Sequence, residues 1–225
     1  MYKNNREDIY NEGIDYSYVA LISSRIRIGI VGAGKAGTIK TKHFVKNKSY
    51  VEVLARNFDE ELIKLSKISD GRLKLIDEEF SLEFLRDKHL IIIALEDKNI
   101  KEKIKKYCDE NYKIYIDSSN FQDGMGVVPA QRTTKHMMFA LNTKGANPKG
   151  AVLVCNKAKE LLDEYDQFIG FTTNLRNKAK ELPEYKDSII KFIGSEDFKS
   201  FYDEGKSEEM LRINFPNDIV EYLLN

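Results

Sequence analysis

Residues 26–37 read Ile-Arg-Ile-Gly-Ile-Val-Gly-Ala-Gly-Lys-Ala-Gly, an apolar strand that runs straight into a complete G-x-G-x-x-G. Few chains outside the α/β class can use such a segment. A buried strand that turns on glycines into a helix is the first half of a crossover, and crossovers build parallel sheets. Each glycine has a separate duty in that turn. Gly32 permits the tight bend, Gly34 lets a dinucleotide pyrophosphate approach the backbone, and Gly37 lets the following helix lie close to the sheet. The first turn of that helix offers unpaired N–H groups to phosphate oxygens. Gly32, Gly34, Lys35, Ala36 and Gly37 are therefore candidate cofactor-binding residues, and a dinucleotide is the expected ligand.

The rest of the first half continues the alternation. Strands are expected at Val51–Ala55, Leu73–Ile76, Leu90–Leu95 and Ile114–Ile116, with a short lead-in strand at Tyr16–Ser23. Helices are expected at Thr38–Lys46, Asp59–Ile68 and Asn99–Glu110, with a helical turn at Leu82–Leu85. Leu90–Leu95 is apolar throughout, as a strand covered on both faces should be. After Asp117 the character changes. A Gly- and Asn-rich loop leads to two strand-like stretches, Val127–Gln131 and Met137–Asn142, and from Pro148 onward almost everything carries a helical stripe, broken at Pro183 and Pro216. Asn147 suits an N-cap and Pro148 the first helical position.

The expected architecture is thus α/β: a Rossmann-like parallel sheet over 1–120, a small β-rich segment over 121–147, and a helical domain over 148–225. The middle segment is too short to own a core. It is therefore expected to act as a dimerisation element, which makes the chain a homodimer; the alternative is a segment packed on its own Rossmann domain.

Composition narrows the function class. Lys plus Arg equals Asp plus Glu, so the formal net charge is zero. That argues against a nucleic-acid protein that works through bulk positive charge. No apolar run reaches the ~20 residues that span a bilayer, and Met1–Asp15 mixes acids and bases unlike a secretory signal. The two cysteines, Cys108 and Cys155, and the three histidines, His43, His89 and His136, have no metal-ligand spacing. The expectation is a cytoplasmic protein with no resident metal and no membrane or nucleic-acid partner.

Two further positions stand out. Asp117 closes a strand at its carboxyl end, where open α/β sheets bind ligands, and a carboxylate there can accept a proton. The plain alternative is a turn or cap residue, since Ser118, Ser119 and Asn120 follow. The place that usually holds the ribose-binding acid, ~20 residues past the glycines, here holds Arg56-Asn57. Arg56 would suit the 2′-phosphate of NADP. Asp59 falls slightly late and suits a helix cap.

Four segments in order resemble the siroheme synthase family, that of precorrin-2 dehydrogenase/sirohydrochlorin ferrochelatase. They are Val31–Lys40 with its glycine loop, Ile92–Asn99 at a strand end, Ile116-Asp117 with Val128-Pro129-Ala130 downstream, and Ala140–Pro148. The resemblance covers about Tyr18–Leu162. It implies oxidation of precorrin-2 to sirohydrochlorin by NAD, with Fe²⁺ insertion as a further reaction in some members. It implies a dimer in which Asp117 matches the family's key aspartate. It puts Leu95, at the second segment's strand end, among the cofactor-binding candidates. NAD is the expected cofactor on the same ground, because the family also lacks the ribose acid. The tetrapyrrole carries many carboxylates, so Asn142, Thr143 and Lys144, on the loop that feeds the helix at Pro148, are candidate substrate-binding residues. The chain departs from the family at Lys144-Gly145, Asn147-Pro148 and Arg132–His136, all on the substrate side.

Two other readings compete. One is a non-catalytic NAD(P)-binding redox sensor or partner-recruiting module, which needs no acid at Asp117. The other is a different Rossmann oxidoreductase, which leaves the loop from Asn142 to Pro148 unexplained.

Overall fold

A computed structural model describes residues 14–225. Its contacts divide the described chain at Val128, inside the 121–147 segment, into a sheet unit and a unit of hairpin plus helices.

The sheet unit contains β1 (Arg27–Val31), α1 (Lys35–Lys46), β2 (Tyr50–Leu54), α2 (Glu60–Ile68), β3 (Leu73–Ile76), β4 (Leu90–Ile93), α3 (Lys98–Glu110) and β5 (Ile114–Asp117). All five strands are parallel, in the order β3-β2-β1-β4-β5. The chain order therefore reverses beside β1, and the crevice between β1 and β4 is the switch point at which such sheets take ligands. Branched residues fill both faces. Ile28, Ile30, Val51, Val53 and Ile92 form one layer, and Val31, Leu54, Ile91, Ile93 and Ile104 form the other. Asp59 caps α2 through the Leu62 amide, and Asp97 caps α3 through the Asn99 and Ile100 amides. The crossover from β3 to β4 differs from the others. It carries only a 3-10 turn at Leu82–Leu85 in place of a full helix.

The second unit opens on a hairpin of β6 (Ala130–Thr133) and β7 (Met138–Leu141), paired antiparallel. It continues with the 32-residue α4 (Pro148–Ala179), then α5 (Lys186–Ile193), α6 (Glu196–Asp203), α7 (Ser207–Asn214) and α8 (Asn217–Leu224). The hairpin is fastened to α4. The buried Asp166 carboxylate accepts hydrogen bonds from the Thr134 hydroxyl and the His136 amide. The His136 ring lies against Gly170, where a Cβ would sit 2.6 Å from Nε2. An aromatic core of Phe168, Phe171, Phe192, Phe198 and Phe215 holds the short helices together.

Two expectations shift. Tyr16–Ser23 forms no strand, and Val19 is 78% exposed. Among the described residues the segment enters no ladder, and strand-like residues alone make no sheet. The first hairpin strand begins at Ala130 rather than Val127, because Val128 packs into the core of the sheet unit.

Candidate functional site

The glycine loop closes the switch point. Gly32 has φ of 105° and its amide donates to the Leu54 carbonyl at 2.9 Å. A Cβ there would lie 2.3 Å from the Ala94 oxygen and 3.1 Å from the Leu95 nitrogen. A Cβ on Gly37 would lie 2.0 Å from the Gly32 oxygen, so the helix rests directly on the turn. At Gly34 a Cβ would meet nothing within 4 Å. Two glycines thus serve internal packing and the middle one faces open space. Gly34 is also the N-cap of α1 and supplies no side-chain acceptor. The first amides of that helix are left for an outside acceptor, with Lys35 and Ala36 exposed beside them. This cradle fits a dinucleotide pyrophosphate.

Arg56 and Asn57 are exposed past the end of β2. The Arg56 guanidinium lies 3.6 Å from the Glu79 carboxylate. Asp59 is occupied by its cap and by the Thr38 hydroxyl at 3.2 Å.

Asp117 stands at the end of β5, level with Ile93 of β4. Its side chain is turned inward and is 2% exposed as a residue. Oδ1 accepts from the Ser119 amide (2.9 Å), the Ser119 hydroxyl (2.7 Å) and the Asn120 amide (3.2 Å). Two lysines one turn apart on α3 surround it, Lys101 at 3.7 Å and Lys105 at 3.4 Å. Burial works against its charge, yet the Ser119 hydroxyl, the two amides and Lys101 hold it below the ordinary aspartate value. Burial likewise opposes the charge on Lys105, but Asp123 and Asp117 hold that lysine above its ordinary value. The Ser119 hydroxyl bridges the cluster, donating to Asp117 and accepting from Lys101, and Ser119 itself is exposed.

Asn142, Thr143 and Lys144 lie in the other unit, between β7 and α4. Thr143 Oγ1 accepts from the Asn147 amide at 2.6 Å, and Asn147 Oδ1 accepts from the Gly150 amide at 2.9 Å. Lys144 is exposed and pairs with Asp15 at 3.0 Å. Arg132 is held by Asn156 at 2.9 Å. This helix start satisfies part of its own donor set, unlike that of α1.

The histidines remain scattered, and among the described residues no three His, Cys, Asp or Glu side chains gather as a metal site would require. Cys108 and Cys155 are fully buried, and burial pushes the Cys108 thiol up to about 12. Among the described residues no helix is long and apolar enough to cross a membrane.

Sequence reasoning missed Ser119, Lys101 and Lys105. The available signal was a pair of lysines at i and i+4 beside the apolar stripe of Ile100 and Ile104, preceding an Asp-Ser-Ser-Asn turn.

Residues 19–130 match a family model described as "Putative NAD(P)-binding". A "Putative precorrin-2 dehydrogenase" of Methanocaldococcus jannaschii is 28% identical, over 74% of this chain and 84% of that protein. A precorrin-2 dehydrogenase of Priestia megaterium is 26% identical, over 61% of this chain and 65% of that protein. A solved structure of SirC, precorrin-2 dehydrogenase, superposes with a TM-score of 0.64 at 22% identity, covering 87% of this chain and 98% of that one. The last similarity is one of fold.

Proposed function

Since the chain belongs to the precorrin-2 dehydrogenase family and carries its NAD(P)-binding domain, we infer that it oxidises precorrin-2 to sirohydrochlorin in sirohaem biosynthesis. The observation that carries this reading is the uncapped, glycine-lined start of α1 at the switch point of the sheet, at the same end of the strands as Asp117, which lies across β4. Bound NAD⁺ supplies the acceptor for the hydride that the oxidation removes. Gly32, Gly34, Lys35, Ala36 and Gly37 hold its pyrophosphate, and Leu95 borders it from the end of β4. NAD is favoured over NADP because the Glu79 carboxylate sits beside Arg56 and would repel a 2′-phosphate.

The oxidation also releases a proton, and the Ser119–Asp117 pair can take it. Ser119 is exposed and its hydroxyl is hydrogen-bonded to the carboxylate, so Oγ accepts a proton as it passes its own to Asp117. Lys101 donates to the same oxygen and so fixes the hydroxyl with its own proton on the Asp117 carboxylate. A carboxylate held below its ordinary value is a weak base, and a weak base suffices for a carbon acid made cationic by hydride loss. Asn142, Thr143 and Lys144 are proposed to meet the carboxylate arms of the tetrapyrrole.

The homodimer reading rests on exposed apolar residues in the hairpin–helix unit. Val152, Leu153, Val154 and Leu161 on α4, with Met138 on β7, are all more than two-fifths exposed. A second copy of the chain is proposed to cover them, and sedimentation at micromolar concentration tests it.

The experiment for the activity is anaerobic conversion of precorrin-2 with NAD⁺ or NADP⁺, followed by absorbance. Wild type is expected to form sirohydrochlorin faster with NAD⁺. Ser119→Ala is expected to lower kcat by roughly 10²-fold, the lower range for a lost acid–base group, at a temperature where the variant stays folded despite about 1.5–3 kcal/mol lost with its bond to the buried carboxylate. Bound dinucleotide without turnover would replace the enzyme with the sensor. Adding Fe²⁺ and reading sirohaem absorbance decides the second reaction.

A further inference from the structure

The sheet unit has a second concavity, at the amino ends of its strands and opposite the glycine loop. It encloses about 550 Å³. Its existence follows from the shortened crossover. The 3-10 turn between β3 and β4 is too small to cover the face of the sheet as a full helix would. The strands are written for that openness. Gly29, Glu52 and Lys74 share one row across β1, β2 and β3, where a doubly covered sheet would place branched apolar residues.

The floor of this cavity is fixed. Lys88 is 5% exposed and reaches Glu52 at 3.0 Å, with Asp87 as its second partner. Gly29 makes room for it, since a Cβ there would lie 3.0 Å from Lys88 Cγ. Arg27 is anchored by its Nε to the Asp87 carbonyl at 2.6 Å. Around this floor stand Arg25, Arg72 and Lys74, which have no carboxylate partner among the described residues. Five cations and one carboxylate line the cavity, and the adjoining Asp87 carboxylate pairs with Lys88 and Arg27, which leaves an excess of three positive charges in a chain whose formal net charge is zero. Cations crowded around a concavity raise one another's electrostatic energy and lower that of an entering anion.

We propose that this cavity is a second ligand site, one that binds a small polyanion carrying phosphate or carboxylate groups, separately from the dinucleotide cradle. Guanidinium groups pair with both oxyanions in bidentate fashion, and the volume suits a molecule of a few such groups rather than a macrocycle. The site lies at the opposite end of the strands from the glycine loop, so its occupant does not compete with a bound dinucleotide.

The test is titration of the ¹⁵N-labelled full chain with inorganic pyrophosphate and, separately, with citrate, read by amide chemical shifts. Saturable shifts at Arg25, Arg27 and Arg72, with a Kd below about 1 mM, are expected for at least one of the two. The double variant Arg25→Ala/Arg72→Ala should weaken that binding at least ~10-fold, about 1.4 kcal/mol. Tighter binding of pyrophosphate assigns the phosphate class, and tighter binding of citrate the carboxylate class. Shifts confined to Gly32–Gly37, shifts that do not saturate with either anion, or an unchanged affinity in the double variant would overturn the proposal.

Discussion

Two helix starts in this molecule are candidate anion sites, and they are built on opposite plans. At Gly34 the backbone opens α1 with no side-chain acceptor and with open space before it. At Asn147 the side chain turns back onto the Gly150 amide, and Thr143 takes the Asn147 amide. The first leaves its donors for a ligand, whereas the second spends part of its donor set on itself. The turn after β5 is a third solution. There Asp117 supplies a full negative charge to the amides of Ser119 and Asn120 from inside the protein. The dipole at a helix or turn start is therefore a shared resource, and what decides its use is whether a nearby side chain already holds it.

Asp117→Asn should break the pattern most severely. The substitution leaves Lys101 and Lys105 crowded at a neutral group, and breaking a buried ion pair costs about 3–5 kcal/mol. The sign of the pH dependence follows from the lowered folded-state value. The stabilisation is fully present above the ordinary aspartate value of ~3.9 and is lost as pH falls through the lowered one. Urea unfolding of wild type and variant should therefore differ widely at pH 7 and converge in acid. Equal stability at pH 7 would mean that the carboxylate is not held as described.

Gly37→Ala comes next. Its Cβ would meet a backbone carbonyl, and overpacking of that kind costs about 1–3 kcal/mol. Dinucleotide binding should fall with it. Gly34→Ala isolates the cradle from the fold. It should weaken NAD⁺ binding by at least ~10-fold, or 1.4 kcal/mol, with little change in unfolding free energy. The matched control, Gly145→Ala, also has nothing within 4 Å of its Cβ and should leave NAD⁺ binding unchanged. Equal effects at the two glycines would erase the distinction between the loops. Asn147→Ala should be mildest, at about 1 kcal/mol for a lost cap, with no effect on NAD⁺ affinity by calorimetry.

Much of this was legible in the residues. The glycine loop and the branched run at Leu90–Ile93 leave little choice but a parallel sheet, and Asp59 and Asn147 announce their helix starts by type and position. What was not legible depended on which way a side chain turns. The residues put Asp117 at its strand end, but its inward orientation depends on the Ser119 and Asn120 amides and on lysines contributed by α3. A lysine in a sequence reads as solvated, so Lys101, Lys105 and Lys88 stayed hidden until their partners were in view. Tyr16–Ser23 has strand-like residues but enters no ladder among the described residues, and a ladder belongs to the fold rather than to the segment.

The two buried cysteines give the molecule its own gauges of opening. One lies in the sheet unit and the other in the hairpin–helix unit, and neither is exposed to solvent. With its thiol near 12, Cys108 carries only about one thiolate in 10⁵ molecules at pH 7. A maleimide added to the native protein should therefore modify it only through excursions that expose α3. The two labelling half-times, measured side by side in rising urea, report whether the dinucleotide half and the helical half come apart together or in turn.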